Sequence, residues 1–201
     1  MSTRPAASAR RAATRTRRAE ARERILAAAE RLLRERPYRE LSVEEVMAEA
    51  GLSRTVFYRH FDGLPELVLS RLDAIGAGLF AELEVGPAPG RVRAILEAAV
   101  DAFAVHGRFL RAVDEAASHD VEIETAYRAF VGGFTQVMAG QIQQGMDDGR
   151  IGPGNAYELA RALNLMNREY LLDTLGRDPA FDRALALETL SHVWDSIASS
   201  S

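Results

Sequence analysis

Arg54, Thr55, Tyr58 and Arg59 fall on one face of a short helical stretch, residues 53–61, while Phe57 and Phe61, four apart, take the other. The first face carries guanidinium, hydroxyl and phenol donors and an aromatic ring. It carries no carboxylate. Groups of this kind read DNA in the major groove, where arginine bonds the acceptor edge of guanine and threonine meets the thymine methyl. A helical hairpin in any all-α protein shows similar spacing, so the face alone leaves both readings open. A second polar pair, Asn164 and Asn167, stands three apart in LNLMN, among Leu163, Leu165 and Met166. A buried amide costs on the order of 1 to 3 kcal/mol unless it finds a partner. Either the two amides bond each other, the backbone or water, or they present themselves to a bound molecule.

Catalysis has little to work with. The four histidines, His60, His106, His119 and His192, lie far apart, with no H-x-x-x-H or H-E-x-x-H spacing for a metal. There is no G-x-S-x-G elbow, no P-loop and no G-x-G-x-x-G. Glu115 and His119, four apart, are an ordinary helix-surface pair. The sequence therefore implies no enzyme, no metal and no cofactor.

The elements that must position these groups are helices. In residues 41–67, LSVEEVMAEAGLSRTVFYRHFDGLPEL, Ser42 and Glu45 form a capping box, and Val43, Val46, Met47 and Ala50 make an apolar stripe behind it. Gly51 supplies the left-handed turn that ends this helix, Leu52 plugs the angle, and Ser53 caps the next helix. Residues 20–36 form the first helix, with Ile25, Ala29, Leu32 and Leu33 on one side and Pro37 as a stop. Asp62 is expected to cap the fourth helix, with Pro65 in its first turn. That helix reaches about residue 84, and the Gly-Pro-Ala-Pro-Gly run at residues 86–90 is the clearest break. Five further helices follow at residues 91–106, 108–117, 119–148, 155–175 and 179–198.

The predicted fold is all-α, about nine helices, with no strand pattern. A helix-turn-helix head (residues 20–66) precedes a larger helical body (residues 67–198). The eighth and ninth helices are apolar over more than one face, with Leu185, Leu187, Leu190 and Val193 on the last. A surface helix needs only one such face. The surplus either meets a second subunit across a two-fold axis or is buried within the monomer.

At 201 residues and 47% apolar content the chain can bury a sizeable core. It has no cysteine, so a reducing cytoplasm is expected, and no apolar run approaches the roughly 18 to 20 residues that span a bilayer. All 25 basic residues are arginine. The net charge of −4 divides unevenly, +6 over residues 1–61 and −10 over residues 62–201. The basic part coincides with the proposed reading head, as phosphate neutralisation requires. Residues 1–19 hold six arginines and no acid, and are expected as a disordered arm. Such an arm either touches phosphates beside the head or is a solvated tail.

LSVEEVMAEAGLSRTVFYRHF, above all AGLS followed by FYRHF, resembles the helix-turn-helix of the TetR family of ligand-responsive repressors. ALNLMNREYLL (residues 162–172) and ETLSHVW (residues 188–194) resemble the ethionamide-resistance repressor branch of that family. The resemblance covers about residues 22–197. It implies that Arg54, Thr55 and Val56 meet bases and that Ser42, Tyr58 and His60 meet phosphates, with Ser53 and Arg59 beside them. Leu64 departs from the pattern, because many relatives have a phosphate-touching lysine there. The resemblance further implies a hydrophobic ligand in a channel between the fifth, seventh and eighth helices, bonded by Asn164 and Asn167 and lying near Trp194. Ile95, Leu96, Ala99, Phe103, Tyr127, Val131, Phe134, Met138 and Leu171 would supply the apolar wall. Val92, Ala99 and Val137 make this wall less aromatic than is usual in the branch.

These observations lead to a ligand-responsive repressor that binds a palindromic double-stranded DNA operator as a homodimer, through its eighth and ninth helices. A small hydrophobic effector would release it. The alternatives are an architectural DNA-binding protein without small-molecule input, which a filled body core would favour, and an all-α enzyme or carrier with a merely solubilising head.

Overall fold

The computed structural model describes residues 4–83 and 91–198, and the regular elements among them are all helical. The eight α-helices are α1 (Arg4–Leu33), α2 (Val43–Ala50), α3 (Arg54–Phe57), α4 (Leu64–Leu83), α5 (Arg91–Ala117), α6 (Val121–Asp147), α7 (Ala156–Asp173) and α8 (Arg183–Ala198). A single 3-10 turn, Tyr38–Glu40, joins α1 to α2. The chain forms two compact units, Met1–Arg71 and Leu72–Ser201. The break expected at residues 86–90 lies outside the described residues. None of the described helices is long and apolar enough to cross a membrane.

In the first unit the local signals set α2 in place. The Ser42 hydroxyl donates to Glu45 Oε2 at 2.6 Å, the Glu45 N–H returns to Ser42 Oγ at 3.3 Å, and Glu45 also accepts the Ser42 N–H. These bonds and Arg36 lower the Glu45 pKa. Gly51 ends the helix at φ 62°, a left-handed conformation that a side chain would strain. Its N–H and that of Leu52 turn back onto the last carbonyls. α1 lies against α2 through Arg31–Glu49, Arg36 just beyond α1 pairs with Glu45, and Arg24 Nη2 reaches the Ala50 carbonyl at 2.6 Å. Under these contacts Ile25, Leu26, Ala29, Val46, Met47, Phe57 and Phe61 form a sealed core. Glu30 is buried in it, held between Arg34 and Arg71 at 2.5 to 2.6 Å. A buried carboxylate persists only with partners of that kind.

Three boundaries differ from expectation. α1 begins at Arg4 rather than residue 20, so the stretch expected as a disordered arm is helical from there on. It is rich in alanine and arginine, with no glycine, and such residues extend a helix already nucleated by the packed segment at low cost. α3 is only Arg54–Phe57, and residues 58–60 continue as tighter turns, in which Arg59 and His60 bond the third residue back before Phe61 bonds Phe57. Asp62 does not cap α4; its N–H is taken by Glu66 Oε2 at 2.6 Å.

In the second unit the helices expected at residues 91–106 and 108–117 run on as α5. Gly107 lies within it because a Cβ there would sit 2.9 Å from the Leu175 carbonyl oxygen. Glycine here permits a close approach and does not break the helix. Asp120 and Asn155 cap α6 and α7 through their side-chain oxygens. Leu96, Val100, Ile142, Ala160, Leu163, Leu171, Leu175 and Leu190 form the core where α5 to α8 meet.

Candidate functional site

The head presents one exposed polar surface. Ser53, Arg54, Thr55, Tyr58 and Arg59 are exposed, and Ser42, Val56 and His60 are half-buried. Phe57 and Phe61, with ring centroids 5.6 Å apart, anchor the opposite side. Arg54 Nη2 donates to the Tyr58 hydroxyl at 3.2 Å, and its guanidinium lies 5.6 Å from the Tyr58 ring centroid. Arg54 also pairs with Glu44 of α2. That pairing corrects the expectation of an acid-free face, because the turn brings the first turn of α2 beside α3. The Ser42 hydroxyl is engaged by the cap, which orients it as part of the α2 N-terminus.

α1 extends the positive surface. Arg18 Nη2 donates to the Arg59 carbonyl at 3.2 Å, and the Arg22 guanidinium stands 5.2 Å from the Phe61 ring centroid. Partial burial, then the charges of Arg18, Arg22 and Arg59, hold the His60 imidazole below the usual histidine range. Four cationic or cationisable groups from two segments thus meet at one edge of the reading face. Such a concentration of positive charge suits phosphate.

The second unit holds a partly open apolar cavity of about 100 Å³. All twelve residues expected to touch a ligand line it: Ile95, Leu96, Ala99 and Phe103 from α5, Tyr127, Val131, Phe134 and Met138 from α6, Asn164, Asn167 and Leu171 from α7, and Trp194 from α8. Val92 and Val137 pack against the core instead. Asn164 Nδ2 donates to the Val131 carbonyl at 3.2 Å and to Thr135 Oγ1 at 3.1 Å. Asn167 Oδ1 accepts from Trp194 Nε1 at 3.4 Å. Each amide therefore has protein partners on one side, while the Asn167 Nδ2 group has none among the described residues.

Sequence reasoning missed Leu79, Ala98, Leu110, Phe130 and Arg168, which also line the cavity. Arg168 was legible in principle. It follows Asn164 by four and precedes Leu171 by three, the spacing of one helix face. Its charge argued for solvent, but Asp114 of α5 meets its Nη1 at 2.6 Å and makes burial tolerable.

A helix-turn-helix with a positive margin, followed in the same chain by a helical body around an apolar cavity, defines the class of bacterial transcription regulators. Residues 25–70 match the family model of bacterial regulatory proteins of the tetR family, and residues 92–198 match the C-terminal domain of the transcriptional regulator EthR. The HTH-type transcriptional regulator EthR of Mycobacterium tuberculosis is 32% identical over 173 residues, covering 81% of this chain and 79% of that protein. That of Mycolicibacterium smegmatis is 29% identical over 171 residues, 81% and 78% respectively. In fold the chain is similar to NalD, the secondary repressor of the MexAB-OprM efflux pump in Pseudomonas aeruginosa. The TM-score is 0.70 at 24% identity, over 89% of this chain and 96% of that one. The chain belongs to the TetR family of transcriptional regulators, and its C-terminal domain is of the EthR type.

Proposed function

We propose that this regulator is a repressor that binds a palindromic operator as a dimer and leaves it when a small, elongated, apolar molecule occupies the cavity of the body. The observation that carries the reading is the cavity itself: an apolar wall with two amides and a tryptophan, in the domain that follows the DNA-reading head. A filled body core would have favoured a purely architectural role. Arg54, Thr55 and Val56 read bases, while Tyr58, Arg59, His60 and the α2 N-terminus capped by Ser42 hold phosphates. The relatives named EthR are regulators, not enzymes, and a regulatory role needs no reacting group in the cavity.

The cavity also bears on mechanism through its size. At about 100 Å³ it is smaller than the 150 Å³ that holds a benzene molecule. In this reading an elongated ligand displaces α5, α6 and α7 as it enters, and that displacement alters the separation of the two heads. To move a population from 1:99 to 99:1 it must favour the released state by about 5.5 kcal/mol. The test is selection of bound sequences from random DNA, followed by a screen for neutral apolar compounds that release the selected operator. Recovery of an inverted repeat and of releasing compounds supports the reading; a binder that no compound releases defeats it.

A further inference from the structure

The polar groups of the cavity wall carry more information than its apolar area. Arg168 lines the cavity, yet its Nε is buried with no acceptor among the described residues. The rest of its guanidinium is engaged. Nη1 meets Asp114 Oδ1 at 2.6 Å, Nη2 stands 3.8 Å from Glu169, and the group lies 5.8 Å from the Tyr127 ring centroid. Burial, then the Asp114 carboxylate, against a smaller opposing effect of Arg168, pushes the Tyr127 hydroxyl up to about 12. The guanidinium thus joins α7 to Asp114 of α5 and stands beside Tyr127 of α6, while Nε is the donor these contacts leave over. A buried donor without an acceptor is costly, and because the Arg168 side chain lines the cavity, a ligand that parts the wall can supply the missing acceptor.

The second unused group is the Asn167 Nδ2 amide, one residue earlier on α7, whose Oδ1 is held by Trp194. Both unused groups are donors, and among the described residues no carboxylate lines the cavity. We infer that the effector is a neutral molecule with two separated hydrogen-bond acceptors on an apolar skeleton, one meeting Asn167 Nδ2 and the other Arg168 Nε. A cation would face Arg168 with no acid in the wall. A carboxylate would add a buried negative charge where Asp114 already neutralises Arg168. A molecule with one carbonyl satisfies Asn167 and leaves the Arg168 donor unmet. Arg168 is thus a specificity-determining residue for ligands that extend past the asparagine.

This inference rests on the reading of the cavity as the effector site, and the experiment separates the two. Trp194 is the only tryptophan in the chain and lines the cavity, so its fluorescence reports occupancy. The full-length protein is titrated with dimethyl sebacate, which has an ester carbonyl at each end, and with methyl decanoate, which has one on a chain of similar length. The diester is expected to bind about tenfold more tightly, the worth of one satisfied buried donor. In Arg168→Lys, which keeps the charge beside Asp114 but lacks the Nε–H, the ratio of the two affinities falls to about one. Arg168→Met gives the same ratio, and thermal melting identifies any variant that fails to fold. Equal affinities in the unsubstituted protein, or a diester advantage that survives Arg168→Lys, overturn the inference while leaving the cavity reading intact. Decanoate binding more tightly than methyl decanoate overturns the neutral class. If neither ester alters Trp194 fluorescence, the cavity reading itself falls.

Discussion

Arg54 holds two partners in the free protein, the Tyr58 hydroxyl and the Glu44 carboxylate, and both must yield before the guanidinium reaches a base. An exposed ion pair is worth about 0 to 1 kcal/mol, so Glu44 acts as a weak restraint on DNA binding. Glu44→Ala is expected to raise operator affinity by about two- to fivefold in filter binding at fixed salt, because the guanidinium is released and a carboxylate no longer repels phosphate. Arg54→Ala should instead relax base preference at one position of each half-site. His60 adds a pH dependence. Its folded pKa is below the ordinary histidine value of 6.5, so the contribution to stability is present above that value and disappears as pH falls through the folded pKa. His60→Gln should flatten the decline in melting temperature below about pH 6.5, and an unchanged decline would place its origin in other groups.

At the scale of elements, α1 joins two roles in one helix. Residues 22–33 pack in the head, with Ile25, Leu26 and Ala29 buried, while residues 12–20 are exposed and basic. Deleting residues 1–19 removes Arg18 and its bond to Arg59, and should weaken binding to all DNA sequences alike. The slope of log affinity against log salt should flatten by about 0.9 for each phosphate no longer neutralised; an unchanged slope would make the segment a tail. Much of the helix-turn-helix was legible, because a capping box, a left-handed glycine and a Phe pair each act over three or four positions; Ser53 is the exception, standing at the N-cap of α3 without the side-chain cap bond expected of it. What escaped was tertiary in origin. Gly107 looked like a break and proved to be the gap through which α5 approaches the Leu175 carbonyl. Glu44 reached the reading face only through the turn, and Arg168 entered the cavity wall only because Asp114, 54 positions away, neutralises it. The cavity residues were legible through resemblance, since apolar spacing alone does not tell a wall from a core.

For the whole molecule, the proposed operator binding calls for two heads held at a fixed separation, about 34 Å or a multiple, to enter successive major grooves. On that proposal the body supplies a second apolar face. Tyr157 and Leu165 of α7 and Leu185 of α8 are exposed in the single chain, whereas Leu187 packs partly against the core. Leu185→Glu is accordingly the sharper probe of an interface built from α7 and α8: it should yield monomers in analytical ultracentrifugation, with operator binding abolished and the helical signal retained. A dimer that survives Leu165→Glu combined with Leu185→Glu would move the interface to other helices. The division of charge fits the same arrangement, since a basic head meets DNA while an acidic body keeps the complex from coating it.

The central claim is that one event, occupation of the cavity beside Asn167 and Trp194, controls operator binding. A compound that releases the selected operator is titrated into the protein–operator complex, with Trp194 fluorescence and DNA release recorded together, for the unsubstituted protein and for Asn167→Leu. Both signals are expected to share one midpoint in the unsubstituted protein. Both midpoints should move together by about tenfold or more in the variant, as removal of a ligand hydrogen bond requires. Fluorescence and release that both keep their midpoints in a folded Asn167→Leu protein would contradict the claim.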